Sequence, residues 1–258
     1  MYLNDNYISN NKNKPRYHTL DEIRGFLIFC MVFYHAFYLM STTFSMKLGH
    51  MLLNFFMPFE PTFAGLFIMI SGLCCNLSHS NLQRGIKLLL IALTISLITY
   101  FLGNDCFIAF GILHMLSICM IIFAFANKLI KKVTSKIGML FCVLFFVLTL
   151  SLKGHKIGIP GIWQFTIPSS FYGLNFLFPF GIYNSKFYSA DYFPLFPWMF
   201  VFFFGSFLGK YLIDNKLIHF FDKMHCMFFD FLGRHSLLIY IVHQPIIFSI
   251  LWLYGMIV

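Results

Sequence analysis

Charge is what this chain has least of. Only 10% of its 258 residues are Asp, Glu, Lys or Arg, against 59% hydrophobic. A soluble domain carries about a quarter charged residues, so this composition cannot cover a water-facing surface. Recognisable catalytic signatures are missing too. There is no Walker loop, GxGxxG, HExxH or GxSxG, which argues against a nucleotide motor, a Rossmann enzyme and a zincin. The seven cysteines (Cys30, Cys74, Cys75, Cys106, Cys119, Cys142 and Cys226) form no CxxC pair and no zinc spacing. Most fall in apolar runs, where a thiol acts as a small hydrophobe, and no metal site is expected. The ~10-residue alternating segments of a membrane barrel are absent. So is a hydrophobic stretch with a small-residue cleavage site near the start, and no removable signal peptide is expected. The formal charge of +9 needs no nucleic-acid partner. No basic, aromatic-laced surface accompanies it, and Lys and Arg gather in the cytoplasmic loops of membrane proteins.

What remains is a succession of apolar runs, several reaching the ~18–20 residues that a helix needs to cross a bilayer. The fold class is therefore all-α, a polytopic transmembrane helix bundle of seven or eight spans. Residues 1–15 read as a disordered cytoplasmic tail and residues 16–258 as a single transmembrane domain. Span one covers about residues 20–40, with Thr19 as N-cap and Glu22 completing a capping box. Pro58 and Pro61 break the outer connection before span two (62–77). Spans three (86–102), four (106–126) and five (137–152) follow, with a tight turn at Gly103, Asn104 and Asp105. Two further spans cover 193–212 and 236–257. The apolar piece 171–182, interrupted by Pro179, decides the count. If it is re-entrant or interfacial there are seven spans, and the basic stretch from Lys210 to Arg234 lies inside as the positive-inside rule prefers. If it crosses, there are eight. The seven-span reading is preferred.

Ionisable groups inside apolar spans are costly and mark functional sites. His35 lies within span one. Asp21, Arg24, Ile28, Met31 and His35 share one helical face, and His35 lies roughly 16 Å along the axis from Arg24. His114 and His243 each sit eight residues into their expected spans, roughly 12 Å from an end. Each histidine could be a hydrogen-bonded packing residue. Three at similar depth point to a pathway or relay, and imidazole suits general-base work near neutral pH. Arg84 and Lys87, one turn apart, are either an ordinary cytoplasmic flank or a phosphate clamp. Asp21 and Arg24 are either a helix-start ion pair or part of that clamp. Asp191 is a loop acid before a span. Gln244 follows His243, and Pro245 kinks the helix or frees a carbonyl, which can open space for a ligand.

The segments RYHTLDEIRGFLIFCMVFYHAFY, LFIMISGLCCNLSHSNLQRGIKLL, FGILHML, YFPLFPWMFVFFFGSFLGKY and LGRHSLLIYIVHQPIIF resemble, in order, the motifs of the heparan-α-glucosaminide N-acetyltransferase catalytic-domain family. The likeness covers Arg16 to about Ile250. The wider superfamily carries an R–x–x–R motif where this chain has Arg84–Gly85–Ile86–Lys87, and Lys lacks the bidentate fork of Arg. The resemblance implies transmembrane acetyl transfer. Acetyl-CoA would bind from the cytoplasm and its acetyl group would pass to an amine or hydroxyl of a sugar on the far side. The partners implied are acetyl-CoA, a glycan or amino-sugar acceptor and the lipid bilayer. His35, by its place in the superfamily motif, is the expected catalytic residue. His50, by its place in the outer connection, is the alternative. His114 would relay or orient; Arg24, Arg84 and Lys87 would hold the donor; Asp21, Asp191, His243 and Gln244 would line or support the cavity. A covalent acetyl-histidine route is also open. The expected location is a plasma membrane, with the N-terminus cytoplasmic. A reading from another class is a proton-coupled transporter using the same histidines, although no inverted repeat is visible. A structural membrane subunit would leave the polar groups at depth unexplained.

Overall fold

The computed structural model describes residues 16–103, 106–174 and 176–257. The expected tail at 1–15, and the expected turn at Asn104 and Asp105, lie outside the described residues. Among those described, seven helical stretches are long and apolar enough to cross a membrane. They make this an integral, multi-pass membrane protein. The elements are α1 (His18–Thr42), α2 (Lys47–Phe56), α3 (Glu60–Cys74), α4 (Asn81–Leu102), α5 (Ile112–Lys132) and α6 (Ser135–Thr149), then β1 (Lys156–Ile159), β2 (Trp163–Thr166), α7 (Ser169–Tyr172), α8 (Leu195–Asp214), α9 (Met227–Arg234) and α10 (Ser236–Ile257). Among the described residues, the piece 171–182 contains only the end of α7 and a 3-10 turn at Phe178–Phe180, too short to cross, in keeping with the seven-span reading. The chain divides into two compact units. One runs to Ala64 and resumes at Asn215; the other is Gly65–Asp214.

In the first unit α1 packs on α9 at backbone distance. A Cβ at Gly25 would fall on the carbonyl of Phe229, and one at Gly233 on the carbonyl of Asp21. Small residues at such crossings let helices approach closely in lipid. Phe26 and Phe29 then meet the Phe229 ring edge-on, with centroids 5.6 and 5.9 Å apart. The expected capping box at the start of α1 is not formed. Helix α1 begins at His18, and Thr19 donates to the Lys223 carbonyl at 2.8 Å. Glu22, buried, accepts from the backbone N–H groups of His225 and Cys226. Both side chains thus serve the entry to α9, where Cys226 is the N-cap. Orphan helix N–H groups need an acceptor from anywhere in space, and here a carboxylate on another helix supplies it.

Pro58 and Pro61 do not break the chain after α2. Pro58 sits in a 3-10 turn, Met57–Phe59, and Pro61 in the first turn of α3. Proline lacks only an N–H that has no partner there, so the apolar stretch runs continuously from Lys47 to Cys74.

In the second unit, α3 crosses α8 through Gly72 and Gly205, and α4 crosses α5 through Gly85, whose added Cβ would stand 3.1 Å from the Ser117 carbonyl. Lys210 on α8 turns its ammonium to the end of α5. It donates to the carbonyls of Lys131 at 2.8 Å, Val133 at 2.7 Å and Ile130 at 3.3 Å. These are carbonyls that the helix end leaves without partners. Lys210→Met keeps the apolar stem and removes the donors. A loss of about 1–3 kcal/mol in unfolding free energy is expected, read by denaturant titration in mixed micelles.

The hairpin β1–β2 is antiparallel, with Ile159 opposite Trp163 and Lys156 opposite Thr166. Its turn has Pro160 and then Gly161 at φ +79°, closed by Ile162 N–H to the Ile159 carbonyl at 3.1 Å. Proline followed by a positive-φ glycine is the signature of a type II turn.

Candidate active site

Helix α1 carries ionisable groups at three levels of the first unit. At its start, Arg24 reaches Asp21 at 3.4 Å and donates to Ser236 Oγ at 3.0 Å, on the first residue of α10. Arg16 also donates to Asp21, at 3.2 Å. The Nε of Arg24 is buried and makes no hydrogen bond among the described residues. Next to this cluster, Asp230, 2% exposed, accepts from His18 at 3.0 Å and pairs closely with Arg234.

Seven residues before the end of α1, half-buried His35 faces His243 of α10, with ring centroids 5.0 Å apart. His243 is 6% exposed. Its Nδ1 lies 2.6 Å from the Tyr240 carbonyl. A carbonyl can only accept, so Nδ1 carries the proton and Nε2 presents its lone pair. That Nε2 is buried and has no hydrogen-bond partner among the described residues. Two imidazoles, one with its base-competent nitrogen unspent, therefore stand side by side. Gln244 is half-buried beside them in sequence.

At the far end of α1, buried Ser41 meets His50 of α2, Oγ to Nδ1 at 2.8 Å. Neither Ser41 nor Ser236 carries a signal in the sequence. Serine is frequent in apolar helices, and each finds its partner on a different helix.

Arg84 and Lys87 lie in the second unit, in the first two turns of α4. Both are exposed, with no side-chain hydrogen bond or ion pair among the described residues. Gly85 between them is spent on the α4–α5 crossing described above.

His114 is not eight residues into its helix. Helix α5 starts at Ile112, so His114 sits in the first turn. Residues 107–111, expected as helix, are held extended by the 189–193 segment. Ala190 N–H donates to the Phe107 carbonyl at 2.9 Å and Phe193 N–H to the Phe110 carbonyl at 3.1 Å. Both ring nitrogens of His114 are engaged. Nδ1 accepts from Gly111 N–H at 3.2 Å, which leaves the proton on Nε2 to donate to Ser96 Oγ, also at 3.2 Å. Ser96 passes its own proton to the Ile108 carbonyl at 2.6 Å. Asp191 accepts from Ile112 N–H at 3.2 Å, a carboxylate at the positive end of a helix dipole. His114 and Asp191 together cap α5. Nearby Tyr192 donates to the Phe178 carbonyl at 2.6 Å. Burial first, and the neighbouring Tyr183 second, push its phenol above the usual range, so it stays a donor.

Within the first unit the structure thus brings Asp21 to Arg24 and His35 to His243; within the second it brings Asp191 and His114 to one helix end. A multi-pass membrane protein with paired imidazoles on its spans and cationic groups at helix starts has the parts of a membrane group-transfer enzyme. The profile described as heparan-alpha-glucosaminide N-acetyltransferase, catalytic, matches residues 16–245. The chain belongs to that family. Neither the curated proteins nor the solved structures contain a match to it.

Proposed function

We propose that this protein transfers an acetyl group from cytoplasmic acetyl-CoA to an amine or hydroxyl of a sugar or surface glycan on the other side of the membrane. The observation that carries this reading is the His35–His243 pair, set within two membrane-spanning helices. His35 acts as general base. It removes the proton from the acceptor nitrogen or oxygen as that atom attacks the thioester carbonyl. The carbon–sulfur bond then breaks, and the departing CoA thiolate takes the proton back. His243, anchored to Tyr240, offers its free Nε2 lone pair to the His35 ring or to the acceptor. Gln244 lines the same stretch of α10.

Arg24, steadied by Asp21 and Ser236, binds the donor at the start of α1, and Arg84 with Lys87 binds its phosphates. In this reading residues 16–258 act as one domain, in a plasma membrane, with the N-terminus cytoplasmic. His114 and Asp191 have a supporting role within the second unit: they fix the start of α5, with both His114 nitrogens committed. The family membership favours this chemistry over a proton-coupled transporter built on the same histidines.

The test uses the purified protein in liposomes with acetyl-CoA labelled on the acetyl group. Donor binding, slow donor hydrolysis and transfer to added glucosamine are expected. Absence of both binding and turnover overturns the reading. Arg84→Ala and Lys87→Ala should each raise KM for acetyl-CoA about tenfold with kcat retained, the loss of one charge-assisted contact. Unchanged donor KM in the double variant would remove these residues from the donor site.

A further inference from the structure

Helix α2 approaches the end of α1 closely. A Cβ at Gly49 would stand 2.6 Å from Met40 Cβ and 2.7 Å from Ser41 N, so glycine is required there. The residue after it, His50, is delivered to Ser41. The two partners differ in access: Ser41 is 3% exposed, whereas His50 is at the surface. The hydroxyl is therefore closed off, whereas the His50 residue is open at the surface.

The direction of the hydrogen bond follows from counting protons. Ser41 Oγ makes no other hydrogen bond among the described residues. Were Nδ1 protonated and donating, the serine proton would be buried with nothing to accept it, which is costly. With Ser41 O–H donating into Nδ1, both groups are satisfied. A neutral His50 then carries its proton on Nε2.

We propose that Ser41 is a positioning residue that holds His50 as a neutral imidazole, and that the His50 Nε2–H donates a hydrogen bond to an oxygen of the sugar acceptor. The inference rests on the acetyltransferase reading. An imidazole with Nδ1 filled by a donor and Nε2 protonated has no free lone pair, so it cannot serve as a base while Ser41 holds it. Two histidines of the first unit therefore divide the work. His35 takes the acceptor's proton, and His50 recognises the acceptor.

Nitrogen NMR of isotope-labelled histidine, with the His50 signals assigned by difference from His50→Gln, reads the tautomer directly. The Nε2–H form is expected in the unsubstituted protein and a mixture in Ser41→Ala. An Nδ1–H form in the unsubstituted protein overturns the proposal. Kinetics in liposomes supply the second arm, with acetyl-CoA and glucosamine as probe. Ser41→Ala and His50→Ala should raise KM for glucosamine about tenfold with kcat little changed, and Ser41→Thr, which keeps the hydroxyl, should restore it. If His50→Gln loses kcat as deeply as His35→Ala, with KM unchanged, His50 is the base and the proposal fails. If the protein transfers acetyl to nothing, the acetyltransferase reading and the acceptor contact fail together. The NMR arm then still decides whether Ser41 sets the His50 ring.

Discussion

His35→Ala should abolish acetyl transfer while leaving acetyl-CoA bound. A positioned general base contributes about 10²–10⁴ in rate, and the loss should fall on kcat. Arg24, the donor-binding candidate of the same unit, is engaged with Asp21 and Ser236 and makes no hydrogen bond or ion pair with His35 among the described residues. Donor affinity should therefore stay within about twofold, well under the tenfold that about 1.4 kcal/mol represents. His35→Gln tests the same point with less change of volume: it keeps hydrogen-bonding capacity but cannot carry the proton, and should be nearly as inactive. His243→Ala should cost less, because its imidazole stands behind His35 and is tethered to the Tyr240 carbonyl. The measurement is single-turnover transfer of labelled acetyl to glucosamine, beside equilibrium binding of acetyl-CoA. Full transfer by His35→Ala would strip His35 of the role.

The largest effect on stability is expected at Gly205. A Cβ there would lie on the Met69 carbonyl and 3.0 Å from Met69 Cα, while one at Gly72 would lie on the carbonyl of Phe202. The obstructing atoms are backbone in both directions, so no rotamer change relieves the clash and α3 must move off α8. Overpacking costs about 1–3 kcal/mol, occasionally more, and a rigid backbone obstacle belongs at the upper end. Gly205→Leu should therefore lose about 3 kcal/mol or more, a large share of the ~5–15 kcal/mol that holds a typical protein folded. Gly65 is the internal control. Its added Cβ would come no nearer than 3.5 Å to the Trp198 ring, an ordinary contact, so Gly65→Ala should be neutral. Denaturant titration in mixed micelles of the two variants checks both. Equal stability would mean that the α3–α8 crossing relaxes more freely than its backbone contacts allow.

The spans were legible because hydrophobic length alone sets them, and α10 runs over the residues that its apolar run marks, 236–257. Elements governed by distant partners were not. The apolar sequence 107–111 reads as the start of a helix, but residues 190–193 pair with it and delay α5 to Ile112. His114 consequently moved from an expected mid-span depth to a helix end. Thr19 and Glu22 have the spacing of a local capping box, yet they hold the loop that enters a helix some 200 positions away, a choice that no local window contains. The hairpin turn carries a local signal, Pro160–Gly161, set among aromatics. Of the candidate site, His35 was found by its apolar surroundings. Its neighbour His243 was found as a second such group, but their adjacency required the packing of α1 on α10.

The Glu22 carboxylate also bears on how the chain is made. Its two backbone partners lie 203 and 204 residues downstream. During synthesis α1 is made some 200 residues ahead of them, and its buried acid must wait for that length of chain before it finds those N–H groups. Long sequence separations slow folding, because loop closure precedes the contacts that reward it. The contacts of α1 with the entry to α9 therefore form late, and a nascent chain halted before His225 carries Glu22 without the N–H groups that satisfy it.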